Sequence, residues 1–497
     1  MIARRWGAAR AGAAGYLCAL ALSIIAFGAG PRLLAYAHAK ALLLALDVLL
    51  IIWAAFLFYR VCDEAGAIRI IAQALPNLTA DRGMQAILIG WVFASFLQGI
   101  GGFGVPVAVT APILAGLGLT PLAAVLIPSI GHGWSVNFGS LGSSFQALLN
   151  ATGMTAAQLA PSAAVFLGFA CLVSGPMVAH AAGGWPAVRR LLLPALLIGF
   201  VMAGTQYLVA VYGSWNIAAF SASIAGLFVS IPLAYLFRDK KPQQTSINRN
   251  MLLLAFSGYV LVIVIILAAQ FVSPLKSFLG QITIQISFPE TITGLGFVTP
   301  AGYGRKINLF GHTGALLFYA ALLTYFIFHL THKYKSGAPS RIMVGTLQRV
   351  MSSSVSILSM VTMAVIMEQV GMTETLARGM ADAMGSLFPM ISPWIGALGA
   401  FMTGSNTNSN VVFGALQKQT AELLGFSLAI ILAAQTTGGS LGSVAAPTKV
   451  VVGASTAGMD GHEGEVLRAL FGYVTFLIAL ISLLTVFGIL YLQYRGL

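Results

Sequence analysis

Phe401-Met402-Thr403-Gly404-Ser405-Asn406-Thr407-Asn408-Ser409-Asn410 places six consecutive polar residues directly after an apolar run. In a water-soluble protein this would be a surface loop. The chain around it lacks a soluble composition: of 497 residues, 58% are hydrophobic and 8% charged. A water-facing protein needs roughly a quarter of its residues charged. Mean hydropathy is +0.90. Only lipid solvates such a chain, so it reads as an all-α, polytopic integral membrane protein. A soluble enzyme, a secreted disulfide scaffold and a disordered regulator are excluded. The flanks Trp394–Phe401 and Val411–Leu416 are too short to span alone. The hexad therefore reads as part of an interrupted membrane segment, with an exposed loop between two spans as the alternative.

The same design occurs twice. Residues 98–146 open FLQGIGGFGVP and pass through GLGLTPLAAVLI to SIGHGWSVNFGSLGSS; residues 403–449 pass from FMTGSNTNSN through LLGFSLAIILA to AQTTGGSLGSVAAPTK. Matching Gly99 with Gly404 and Gly118 with Gly425 gives offsets that agree within two residues, which points to an internal repeat. Irregular backbone at membrane depth is tolerated only where protein buries it or a cavity is lined by it. Paired interrupted segments mark the binding site of a transporter.

Uninterrupted apolar runs at Ala41–Tyr59, Ala160–Ala182, Leu191–Val211, Ile217–Phe237, Met251–Phe271, Leu309–Leu330 and Leu467–Leu492 read as ordinary spans. The N-terminus imitates a signal peptide, with Arg4, Arg5 and Arg10 before Ala11–Gly30. The run is long for a signal, so it reads as an uncleaved first span. The stretch 239–250 (DKKPQQTSINRN) is polar and aperiodic. It reads as a cytoplasmic central loop between an N-terminal half, 1–238, and a C-terminal half, 251–497.

Basic residues outnumber acids 26 to 13. Nucleic acid is not the reason: they cluster at Arg60/Arg69/Arg82, Arg189/Arg190, Arg238–Arg249 and Lys333–Arg349, as cytoplasmic loops do. The first broken segment then enters from inside. The second follows the span Val350–Met367 and a stretch, Gly371–Leu387, whose Glu374, Arg378 and Asp382 sit at helical spacing. If that stretch is interfacial, the second segment enters from outside and the repeats are inverted.

Broken helices expose N–H groups at positive dipole ends, which suit a carboxylate. Gly101, Gly102 and Gly104 permit close backbone approach, while Gln98, Ser405, Asn406, Thr407 and Asn410 offer neutral polar contacts. Glycine-mediated helix packing is the other reading of Gly99–Gly104, and its G-x-G-x-x-G spacing is no dinucleotide site without a strand before it. Lys449 either pairs with an anion or snorkels to water. His132 either relays protons or binds substrate, or is a packed histidine. Asp47 lies within an apolar span, where an acid is functional by default unless it sits at the interface. Asp47 and His132 are the candidates for proton coupling. Glu290 and Glu368 read as interfacial. Cys18, Cys62 and Cys171 and the seven histidines show no ligand spacing, so no metal, cofactor or catalytic constellation is expected.

With these residues in view the chain resembles the L-lactate permease family of bacterial proton-coupled carboxylate carriers. The resemblance runs from about Leu44 to Leu480. It is sharpest in Gly102–Leu122, Phe138–Gly142, Phe401–Gln417 and Gly438–Arg468. It implies twelve or more spans in the cell inner membrane and movement of lactate, glycolate or similar 2-hydroxy acids. The family commonly reads E-G-A-A-G-F-G where this chain begins Gln98-Gly99, and T-G-S-D-T-S-S-N where it has Thr403–Asn410. A lysine common after the Gly-Gly block is Ser443 here, and Lys449 replaces a serine. Gln98 and Asn406 cannot titrate, so coupling through those two positions is lost.

The expectation is a secondary transporter, not an enzyme, that moves a small organic anion by alternating access, with protons as possible partners and the bilayer as solvent. A passive anion channel or a non-transporting membrane sensor is the alternative.

Overall fold

The computed structural model describes residues 8–102, 104–237 and 249–495. Arg4, Arg5, Phe103 and most of the central polar loop lie outside the described residues. Of 239–250, only Arg249 and Asn250 are described, and they open a helix rather than close a loop.

Helix α1 (Ala8–Ile25) leads into α2 (Pro31–Glu64), which starts with Pro31 in its first turn, where the missing N–H costs nothing. A short α3 (Ala67–Ala74) follows. Asp81 then caps α4 (Arg82–Gln85) by accepting from the Met84 N–H at 2.8 Å. A π segment, Ala86–Phe93, joins α4 to α5 (Ala94–Ile100). After Gly101–Gly104 the chain returns as α6 (Val105–Gly116). Gly90 faces Leu114, so α6 runs back along α5 and its π segment as a re-entrant hairpin. Thr120 caps α7 (Pro121–His132), which breaks over Gly133–Gly142 before α8 (Ser143–Thr152). Ser140, Leu141 and Gly142 all take positive φ there.

Helix α9 (Ala156–Val209) begins with a Thr155–Gln158 capping box. Gly183 and Gly184 leave helical geometry inside it. Gly168 then meets Ala203, and Gly199 meets Leu172, so α9 is two antiparallel arms, matching the two separate spans expected from the sequence. Next come α10 (Ala218–Leu236), α11 (Arg249–Phe271) and the short α12 (Ser273–Leu279).

A β-hairpin interrupts the all-α expectation. Strand β1 (Thr283–Ile284) pairs with β6 (Ile307–Asn308), β2 (Ser287–Phe288) with β5 (Gly302–Tyr303), and β3 (Thr291–Ile292) with β4 (Val298–Thr299), all antiparallel. The signal was present in the alternation Ile282, Ile284, Ile286, all of which stay exposed. Gly294 at the hairpin tip donates to the Gly28 carbonyl at 2.8 Å, and Thr299 Oγ1 donates to the Gln369 carbonyl at 2.9 Å.

Helices α13 (Thr313–Leu330) and α14 (Ala338–Gln369) follow. The 13-residue α15 (Met372–Met384) is about 20 Å long, short of a bilayer core. It carries an exposed Arg378–Glu374 pair at 2.7 Å. Gly385, at φ 47 and ψ −126, separates it from α16 (Phe388–Thr403). Then come α17 (Asn406–Leu424), α18 (Leu428–Val444), α19 (Pro447–Thr456) and α20 (Glu463–Tyr494). The Ser409 hydroxyl donates to the Gly396 carbonyl at 2.7 Å, and Gly399 faces Phe413, so α16 and α17 form a second re-entrant hairpin. Each half of the chain therefore holds a hairpin followed by a broken helix.

Among the described residues, nine helical stretches are long and apolar enough to cross a membrane. One of them, Ala156–Leu236, contains the Gly183–Gly184 reversal, so crossings outnumber stretches. Large apolar side chains such as Leu193, Phe200, Leu483 and Phe487 are exposed, which is the surface lipid solvates.

Three of the four basic clusters, those around Arg60–Arg82, Arg189–Arg190 and Lys333–Arg349, share one end of the bundle. Arg341 pairs with Glu64 at 2.6 Å, the Tyr334 hydroxyl donates to the Val61 carbonyl, and Arg190 pairs with Asp81 at 2.7 Å. The first hairpin starts at this end. The second starts beyond Gln369, beside the β-hairpin at the other end. The two hairpins thus enter from opposite ends.

Candidate functional site

The hairpin tips and helix breaks meet inside the bundle around a small polar cavity. Gln98 comes from the first hairpin; Val136, Ser140, Ser143 and Ser144 from the first break and α8; Gly404, Ser405, Asn406 and Thr407 from the second tip; and Lys449 from α19. Five residues expected from sequence are therefore brought together: Gln98, Ser405, Asn406, Thr407 and Lys449.

The other expected residues stand behind this wall. Gly102 packs so closely on Ser140 that a Cβ would overlap its Oγ, and Gly101 lies against the Tyr59 ring. Gly104 takes φ +88 at the start of α6. Gly102 lets the tip approach the first break, and none of the three glycines is among the residues that line the cavity. Asn410 is buried one turn beyond the cavity, donating to the Ser144 carbonyl at 3.0 Å and to Thr436 Oγ1 at 2.8 Å. His132 is fully buried at the end of α7. Its Nδ1 is 2.6 Å from the Pro128 carbonyl. A carbonyl only accepts, so Nδ1 carries the proton and Nε2, buried without a partner, offers a lone pair. Asp47 is buried away from the cavity, in an ion pair with Arg305.

The hexad is less irregular than its sequence suggests. Only Gly404 and Ser405 leave the helix: Gly404 has φ +75, and Ser405 is an N-cap accepting from the Asn408 N–H at 3.3 Å. Asn406 to Asn410 are the first turns of α17, buried because the rest of the bundle closes over them. Gln417 holds this hairpin together, donating to the Ser392 carbonyl at 3.0 Å and to Gln435 Oε1.

Asn406 sits at the centre of a neutral network. Its Nδ2 faces Ser440 Oγ at 3.1 Å, Thr436 Oγ1 at 3.3 Å and Asn137 Oδ1 at 3.5 Å. Thr436 donates to Asn137 Oδ1 at 2.6 Å. Sequence reasoning did not single out Asn137, Thr436, Ser440 or Ser144, although all lie inside the two broken segments. Gln98 Oε1, Asn137 Nδ2 and Asn406 Oδ1 are buried without a hydrogen-bond partner among the described residues. Buried polar atoms seldom stay unpaired, because leaving one so costs roughly 1–3 kcal/mol.

The cavity's electrostatics favour an anion. Among the described residues no carboxylate lines it, and Lys449, the one charged liner among them, donates to Ser443 Oγ at 3.1 Å. Lys449 forms no ion pair among the described residues. The N-terminal turns of α8 and α17 both open on the cavity, and Lys449 sits in the first turn of α19. Each brings the positive end of a helix dipole. Among the described residues no group of three or more His, Cys, Asp or Glu side chains is placed to hold a metal.

A Bacillus subtilis L-lactate permease is 27% identical over 474 residues, covering 86% of this chain and 82% of its own. The Escherichia coli glycolate permease GlcA is 26% identical over 457 residues, covering 84% and 80%. Among solved structures, the Alcanivorax borkumensis YdaH transporter superposes with a TM-score of 0.47 at 15% identity, over 89% of this chain and 85% of that one. Neisseria gonorrhoeae MtrF gives 0.45 at 13% identity, over 88% and 80%. The profile of the L-lactate permease family matches residues 1–492. The chain belongs to the L-lactate permease family: it is a multi-pass membrane permease of a small carboxylate, and not an enzyme.

Proposed function

We propose that the protein is a secondary carrier for a small monocarboxylate of the lactate or glycolate type, working by alternating access. The observation that carries this reading is the cavity, where Lys449, with no acid partner among the described residues, faces two helix N-terminal turns and the amide oxygens of Gln98 and Asn406, which have no partner among those residues. A 2-hydroxy acid suits such a site. Its carboxylate takes the ammonium and the N–H groups, and its hydroxyl can both donate to an amide oxygen and accept from an amide nitrogen. The hairpins entering from opposite ends support an inverted pair of units, one rocking against the other around a fixed site.

Proton coupling, as the resemblance implies, cannot run through Gln98 or Asn406. His132 keeps a bare Nε2 at the edge of the first break, which makes it the group to test.

The test is uptake of labelled lactate, glycolate and longer carboxylates by proteoliposomes under imposed proton or sodium gradients. Accumulation of short 2-hydroxy acids supports the carrier. Flux that only ever equilibrates would make it a channel, and binding without flux a sensor.

A further inference from the structure

Asp47 is the most heavily bonded acid among the described residues, and nothing in the transport reading uses it. Its Oδ2 accepts from Arg305 Nε at 3.1 Å, Gln146 Nε2 at 2.8 Å and Asn150 Nδ2 at 2.9 Å. Its Oδ1 lies 3.1 Å from His312 Nε2. The tautomer of His312 follows from its other contact. Nδ1 accepts from the Gly314 N–H at 3.1 Å as the cap of α13, so Nε2 carries the proton and donates it to Asp47. With that tautomer the cluster holds one negative charge and one positive charge.

Its four donors come from three separate parts of the chain. Arg305 belongs to the β-hairpin, His312 to the cap of α13, and Gln146 and Asn150 to α8. Ser143, Gln146 and Asn150 follow one another at helical spacing, so the turn gripped by Asp47 is continuous with the turn that lines the cavity. The chain enters α8 through a left-handed turn at Ser140, Leu141 and Gly142, so α8 is not a continuation of α7. Its side-chain contacts, with Asp47 through Gln146 and Asn150 and with Thr407 through Ser144, help to set its rotation.

We propose that Asp47 is a positioning residue of the transport site. Clamped by Arg305 and His312, it fixes α8 so that Ser143 and Ser144 face the carboxylate. Protonating Asp47 would turn one acceptor site into a donor amid four donors and leave Arg305 without its counter-charge, so the cluster holds geometry and does not carry a proton. The proposal rests on the carboxylate reading.

The experiment compares wild type, Asn150→Ala, Asp47→Asn, Arg305→Gln and Arg305→Lys in proteoliposomes, with labelled lactate, for net uptake and for exchange across a pH series. Loss of a hydrogen bond that positions the site corresponds to roughly a tenfold rise in KM. That rise is expected for Asn150→Ala, Asp47→Asn and Arg305→Gln, equally in uptake and exchange, with the maximal rate per folded molecule and the pH profile kept. Arg305→Lys restores most of the affinity. Asp47→Asn that abolishes proton-driven accumulation while exchange keeps its wild-type KM would make Asp47 a proton carrier and overturn the proposal. Unchanged KM throughout would reduce the cluster to a fold element. Should Asp47→Asn fail to insert, the neutral Asn150→Ala still decides. Absence of lactate flux in wild type, seen before any variant is compared, overturns the carboxylate reading and this proposal with it.

Discussion

The hydroxyls of Ser144 and Thr407 lie 2.9 Å apart, joining the first turn of α8 to the first turn of α17 across 263 residues of sequence. Two like dipole ends meet here, which is unfavourable unless a polar bridge and an anion offset the repulsion. Thr407→Val and Ser144→Ala should each lower uptake kcat/KM by about fivefold, corresponding to one net hydrogen bond near 1 kcal/mol. The double variant should be little worse than either single one. Initial-rate measurements on all three check this; fully additive losses would show that the two hydroxyls act apart.

Asn406→Ala should cut uptake by roughly 5- to 150-fold in correctly inserted protein, because it leaves Ser440, Thr436 and Asn137 without their shared donor. Wild-type kinetics in that variant would return the hexad to a scaffold role.

Asn406→Asp tests the sign of the field. An ionised acid at 406 repels a bound carboxylate, and protonation removes the repulsion. Uptake by this variant should therefore rise as pH falls, more steeply than in wild type. Adding Gln98→Glu should deepen the loss at high pH. A flat profile in both would mean that substrate does not pass Asn406.

Lys449→Ala should raise the KM for lactate by at least about tenfold, as expected for a charge-assisted contact, and Lys449→Glu should abolish uptake. Lys449→Arg should keep part of the affinity. Equal kinetics in all three would send Lys449 to the membrane surface instead.

Gly438→Ala should fail to accumulate as folded protein. A Cβ there would overlap the Pro393 carbonyl, and Gly442 packs likewise on Ala397. Helices α16 and α18 touch backbone to backbone along this line, as small residues allow inside membranes. Detergent-extracted yield and thermal stability measure the loss.

Much of the architecture could be read from composition, because a chain with so few charges has one available solvent. The breaks were legible where glycine, proline and serine interrupt apolar runs. Their meaning was legible only in part. Asn406 and Lys449 announced themselves as polar residues in apolar company, but Asn137 and Thr436 look like any small polar residue until folding places them beside Asn406. Gly101 and Gly102 were legible as sites of close approach, but not that Tyr59 and Ser140 are what approaches them. Asp47 was visible as a costly acid in a span, whereas Arg305 and His312 lie more than 250 positions away, and no local pattern joins them. The β-hairpin was overlooked because its two-residue alternation was short and enclosed by membrane runs.

The lone ammonium of Lys449 bears on how the membrane voltage acts. Loaded with a monocarboxylate, the cavity sums to zero charge and crosses the field without electrical work. Empty, it holds one positive charge, and returning it outward against an inside-negative potential costs about 2.3 kcal/mol per 100 mV for a full crossing. If Lys449 moves with the site, net import is slowed by the resting potential at the unloaded step. Swapping one carboxylate for another never visits that step and runs at the same speed at any voltage.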